Sequence, residues 1–162
     1  MGEVAYVVGN KNFYGVEIKK KGNVDVERIY KELIHWFGKN FYRFTEKGIT
    51  SKTKFSVKEE RLEWSSSREV DDYFKFYIEI EILIYRCIKE KAEIKLRFKG
   101  YLEKDYKNKF ERKFGKKFGK FLRRIYEAYF ILDKVDSMKG KIWSETNNLI
   151  DLAKKILNLA TR

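Results

Sequence analysis

The sequence predicts an α+β fold: a largely antiparallel sheet of about five to six strands, an early helix, and C-terminal amphipathic helices packed on one face. Three observations carry this. Phe74, Phe76, Ile78, Ile80, Ile82 and Ile84 alternate with polar neighbours, and Ala92, Ile94, Leu96, Phe98 and Leu102 repeat the pattern, which is the period of half-buried strands. Val26, Ile29, Tyr30, Leu33, Trp36 and Phe37 recur instead at helical spacing. Beyond residue 104 only helical patterns remain. One domain is expected, with the sheet and first helix in residues 1–104 and a helical part in 108–160, because 162 residues with 43% hydrophobic content suit one core.

Taken in order, residues 4–8 and 13–19 read as short strands joined by a Gly9-Asn10 turn, a predicted hairpin. The first helix follows Gly22-Asn23 and stops at Gly38-Lys39-Asn40. Residues 41–45 read as extended, ending at a Lys47-Gly48 turn. In 53–64, Phe55 and Val57 share one parity and Leu62 and Trp64 the other, so a bulge or turn near 58–60 is expected; Ser65-Ser66-Ser67 reads either as a bend or as more strand. The two clearest strands form a hairpin whose turn at 87–89 would set Glu81 opposite Lys95 and Glu79 opposite Arg97.

Residues 104–132 carry the strongest charge asymmetry. Phe110, Phe114, Phe118, Phe121, Leu122, Ile125 and Tyr129 fall on one arc of a helical wheel, and the basic residues fall on the other. Asn108 and Glu111 suggest a capping box that starts the helix near Lys109. Ten basic residues face two acids between Lys104 and Arg124, so most of the net charge of +13 lies here. Roughly ten large apolar side chains on two strands need a cover, so the Phe stripe is expected to pack on the sheet. Farther on, Val135, Met138, Ile142, Leu149, Leu152, Ile156 and Leu159 form a heptad-like seam that also permits self-association, with Gly140 and 144–148 as weak points.

Other candidates have plain structural readings. His35 lies off the apolar face of its helix, and Cys87 has no activating histidine beside it. Asp71-Asp72 mark a strand boundary, Glu59-Glu60 likewise, and the Gly115/Gly119 pair suits close packing of helix on strand. No metal-ligand cluster, phosphate loop or dinucleotide fingerprint is present, so neither a metal, a cofactor nor a catalytic activity is expected. The single cysteine fits a reducing interior, and the cytoplasm is the expected compartment. Residues 1–11 lack the features of a signal peptide, Tyr6 spoils a myristoylation pattern, and Glu79 and Glu81 interrupt the most apolar run, so no transmembrane segment is expected.

The run from Phe98 to Lys109, together with Phe118-Gly119-Lys120-Phe121-Leu122, resembles a segment of small uncharacterised archaeal proteins. The resemblance implies a shared strand-to-helix junction and no activity. The residues themselves point to a non-catalytic module that binds a polyanion through Lys109, Arg112, Lys113, Lys116, Lys117, Lys120, Arg123 and Arg124. Nucleic acid or a ribonucleoprotein is the first expectation, since it needs only the basic face. An anionic membrane surface comes second because it needs the Phe face free. A helix-grip-like carrier of a hydrophobic ligand comes third.

Overall fold

A computed structural model describes residues 2–22, 24–54, 57–87 and 92–159. In chain order the elements are β1 (Glu3–Val8), β2 (Val16–Lys21), α1 (Val26–Lys39), β3 (Arg43–Lys54), β4 (Val57–Glu69), β5 (Phe74–Cys87), β6 (Glu93–Lys104), α2 (Lys109–Phe114), α3 (Lys116–Tyr129) and α4 (Leu132–Ile156). All strand pairs are antiparallel, in the order β1-β6-β5-β4-β3, with β2 also on β6. The fold class matches the α+β expectation. No described helix is long and apolar enough to cross a membrane.

The expected N-terminal hairpin is not formed. β1 lies along residues 100–104 of β6 and β2 along 93–98, so the two run end to end on one edge. Both short strands exist, the second at Val16–Lys21 where 13–19 is expected, but each pairs with β6 and not with the other. Between them the chain loops out and back: Asn10 Oδ1 accepts the amides of Asn12 and Phe13, both at 2.9 Å, and Gly9 adopts φ 82°.

Lys47-Gly48 is a bulge inside β3, where the register shifts between Glu46 and Gly48, and not a turn. The expected bulge or turn at 58–60 is absent. β4 runs unbroken through the three serines, with Val57 on the outer face and Leu62 and Trp64 on the inner one; Phe55 lies outside the described residues. The β5–β6 register falls two residues from the expectation, with Glu81 opposite Arg97 and Glu79 opposite Lys99. The expected turn at 87–89 lies outside the described residues, save the backbone of Cys87.

Inner-facing side chains fill the space between the sheet, α1 and α4. Phe74, Phe76, Ile78, Ile80, Leu96, Phe98 and Leu102 are fully buried, α1 adds Ile29, Leu33 and Phe37, and α4 adds Val135, Ile142, Leu149, Ile150 and Ala153. The heptad-like seam is buried or half-buried against this core and is not presented to a second copy, and α4 is one helix through Gly140 and Ser144. Its one polar seam residue, Glu145, accepts from Arg68 at 2.6 and 2.8 Å and from the Tyr42 hydroxyl at 2.6 Å. Burial, and then this bond, push the Tyr42 hydroxyl well above the ordinary tyrosine range.

Helix α4 crosses β6 at Gly100. A Cβ there would press on Thr146 Oγ1 and stand 3.3 Å from its Cβ and Cγ2. Gly100→Ala should therefore destabilise the fold by about 1–3 kcal/mol. Adding Thr146→Ala should recover part of that loss, a non-additivity measurable from denaturant midpoints of the single and double variants.

Candidate functional site

The site grows from the end of β6. Inner-facing positions on that strand are 94, 96, 98, 100 and 102, and the next in step is Lys104, opposite Glu3. The core-facing row thus ends in charge. The chain then turns through Asp105 (φ 49°) and Asn108 (φ 52°). Asp105, fully buried, accepts the Lys109 amide at 2.7 Å on its side chain and the Asn108 amide at 2.7 Å on its carbonyl. The expected capping box is not formed. Asn108 makes no side-chain cap bond because its left-handed backbone turns it away, and Asp105 does the capping.

The single predicted helix is two, broken at Gly115 with φ 79°. An added Cβ on Gly119 would sit 2.6 Å from the Phe110 carbonyl oxygen and 2.7 Å from Glu111 Cα. The glycine pair therefore lets α3 fold back on α2, helix on helix, where helix-on-strand packing was expected.

The orientation of α3 reverses the expectation for the Phe stripe. Its buried residues are Gly119 and Arg123, the latter 6% exposed, whereas Phe118 and Phe121 are 56% and 57% exposed. Phe114, Ile125 and Tyr129 are also exposed, and Phe110 and Leu122 are half-buried. The cause is at the sheet, which α1 and α4 already cover; what remains for α3 is the charged end of the inner row.

Arg123 Nη2 donates to Glu3 Oε2 at 3.1 Å, and its guanidinium lies 3.8 Å from both Glu111 and Glu127. Glu127 in turn pairs with Lys104 at 2.5 Å and accepts the Tyr73 hydroxyl at 2.6 Å. Burial and that bond push the Tyr73 hydroxyl far above its ordinary range. Arg123 belongs to this internal cluster, so it leaves the set of residues offered to a polyanion.

The other seven basic candidates are exposed. Lys109 lies 3.4 Å from Asp72. Among the described residues, no carboxylate lies within the 4.0 Å ion-pair limit of Arg112, Lys113, Lys116, Lys117, Lys120 or Arg124. Helix α3 thus has three strips: Gly119, Arg123 and Glu127 docked; Phe118, Phe121, Ile125 and Tyr129 in solvent; Lys117, Lys120 and Arg124 beside them. The rings touch in sequence, Phe114 to Phe118 at 6.2 Å and Phe118 to Phe121 at 6.3 Å between centroids. Two signals pointed to this arrangement: Lys104 keeps the inner parity of its strand, and Arg123 and Glu127 are four residues apart on a helix.

On the outer face of the sheet the carboxylates are paired with cations. Glu81, 2% exposed, lies between Arg61 and Arg97, and Glu79 pairs with Lys47 and Lys99. Tyr77 and Tyr101 stack on each other at 4.9 Å and donate to Glu103 and Glu79. His35 is exposed, and Glu60 pairs with Lys58 and Arg86. Among the described residues no group of three histidine, cysteine or acidic side chains is placed to hold a metal.

Asp71 closes the β4–β5 turn by accepting the amides of Tyr73 and Phe74, and it pairs with Lys134 at 2.7 Å. Burial works to raise its pKa, but Lys134 and the two amides outweigh it, and the carboxyl sits below its ordinary value of 3.8. Asp72 is also lowered, by Lys107 and Lys109. Compared with known proteins, the chain matches no family model and no curated sequence.

Two outcomes follow. Arg123→Gln should loosen α2 and α3 without unfolding the sheet, so trypsin should cut between residues 109 and 124 at least tenfold faster while the core retains its cooperative melt. A depressed carboxyl stabilises the fold fully above its ordinary pKa and loses that contribution as pH falls through the folded one. Stability should therefore drop below about pH 4, and Asp71→Asn should flatten part of that acid limb in a series of melts.

Proposed function

We propose that this protein is a non-catalytic module that binds an anionic membrane surface through α2 and α3. The observation that supports this is the solvent-facing strip of Phe114, Phe118, Phe121 and Ile125 directly beside Lys117, Lys120 and Arg124. A large apolar patch rimmed by charge marks an interaction surface, and aromatic side chains flanked by lysine and arginine are suited to the headgroup boundary. Each cation near an anionic leaflet contributes about 1 kcal/mol, and each Phe adds roughly 1.5–3 kcal/mol on full burial. Binding of this kind is reversible and falls with salt.

Nucleic acid is the better-fitting partner only for a helix whose Phe face is covered, and here that face is exposed. Phosphate neutralisation gives that face no role. A second copy would bring its own surplus of positive charge against the same strip.

Co-sedimentation with vesicles of phosphatidylcholine, with and without phosphatidylglycerol, tests the reading. The protein should partition onto the anionic vesicles at low salt and leave them as salt rises. Phe118→Ser with Phe121→Ser should weaken that partition by roughly a hundredfold, about tenfold per ring. No partition at low salt, or indifference to the Phe changes, would reject membrane binding. RNA retention that survives the Phe changes and is lost with Lys116→Glu and Lys120→Glu, without vesicle binding, would give the surface to nucleic acid.

A further inference from the structure

A cavity of about 710 Å³ lies where the β4–β5 turn meets α2, α3 and α4, within the size range of small-ligand sites. Tyr73, Phe110, Phe114 and Tyr126 form its apolar walls, and the side chains of Lys109, Lys113 and Lys134 reach it from α2 and α4. The walls are set by mutual packing, with Phe110 and Tyr126 at 5.4 Å and Tyr73 and Tyr126 at 5.8 Å, and the Tyr73 hydroxyl is pinned to Glu127. Phe114 belongs both to this cavity and to the exposed strip, so the cavity opens at the level where the strip would meet a leaflet.

We propose that this cavity seats the phosphomonoester headgroup of a single lipid, with phosphate oxygens on the three lysines and the glycerol end against Phe110 and Phe114; the proposal rests on the membrane reading above. With Lys107 beside Asp72, four cations face the two aspartates and leave a surplus of two positive charges at the site. Asp71 gives one oxygen to the Tyr73 and Phe74 amides and the other to Lys134, and Asp72 is neutralised by Lys107 and Lys109. An ammonium has three donors, so Lys134 and Lys109 each hold an aspartate and still have N–H groups for a phosphate. Lys113 has no carboxylate within ion-pair distance among the described residues; its Nζ stands 5.4 Å from the Phe114 ring centroid, at the junction of cavity and strip. A phosphomonoester carries a charge of about −1.5 to −2 near pH 7 and three terminal oxygens, whereas a phosphodiester carries one charge and two such oxygens, so a site lined by three lysines favours the former.

The test compares vesicles of phosphatidylcholine containing either phosphatidic acid or phosphatidylglycerol, with proportions set to equal zeta potential. The full chain should partition at least fivefold more tightly onto phosphatidic acid. Lys134→Gln, on α4 and outside the strip, should remove that preference and lower the phosphatidylglycerol partition by no more than the roughly fivefold due to one cation near the leaflet. Lys113→Gln should also reduce the preference, and it removes no ion pair of the turn. Equal partition of the unmodified chain onto both vesicles, or a preference that survives both substitutions, would overturn the cavity proposal and leave membrane binding intact. Failure to bind either vesicle would remove both. Glycerol 3-phosphate, titrated alone and followed by amide shifts of Tyr73, Phe110 and Phe114, separates the sources: millimolar or weaker binding supports a lipid ligand. Micromolar saturation that abolishes the vesicle preference would assign the cavity to a soluble phosphomonoester and overturn the lipid assignment.

Discussion

A buried arginine ties α3 to α2 and to the end of the sheet. Arg123 contacts Glu3 at the start of the chain, Glu111 on the preceding helix and Glu127 one turn on, while Lys104 and Tyr73 share Glu127. Helices usually dock on sheets through their apolar face. Here the docking side is ionic, and that one substitution of charge for grease determines which way α3 faces and what it leaves in solvent. Ion pairs of this burial stabilise less than apolar packing of the same area, because both partners give up water. Of the guanidinium nitrogens, Nη2 hydrogen-bonds Glu3, while Nη1 and Nε stand 3.8 Å from Glu111 and Glu127.

The wheel of residues 110–129 was legible as amphipathic, and that part of the reading stands. Which flank would face inward was not legible from the wheel alone. Periodicity reports that two sides differ, whereas the docking side depends on what the sheet has left uncovered. In this chain α4 lies over β6 at Gly100 and fills the inner face with Ile142, Leu149 and Ala153, so the row of phenylalanines finds no apolar surface free. The parity of β6 carried the missing information, since Lys104 continues the row of Ile94, Leu96 and Phe98.

Strands followed the same division. Alternation identified β5 and β6 almost residue by residue, because one face of each is fully buried. Partner choice for the short N-terminal strands was not encoded in their own residues; it was decided by the free edge of β6, which runs long enough to take β1 and β2 in line. Likewise the three serines of β4 have little strand preference of their own, and they stay extended because β3 and β5 flank them on both sides.

The two kinds of charge in this molecule respond differently to salt, and this bears on how the surface would work. Arg123 is 6% exposed and its partners Glu111 and Glu127 are mostly enclosed, so mobile ions screen that cluster weakly. Lys116, Lys117, Lys120 and Arg124 stand in water, where attraction to a distant anionic plane decays over roughly 8–10 Å at ordinary ionic strength. Rising salt therefore releases the exposed cations from an anionic partner before it weakens the seat of the helix. For the membrane association proposed above, a strip that already faces solvent would require no refolding of α3, and long-range attraction to its cations would govern the encounter.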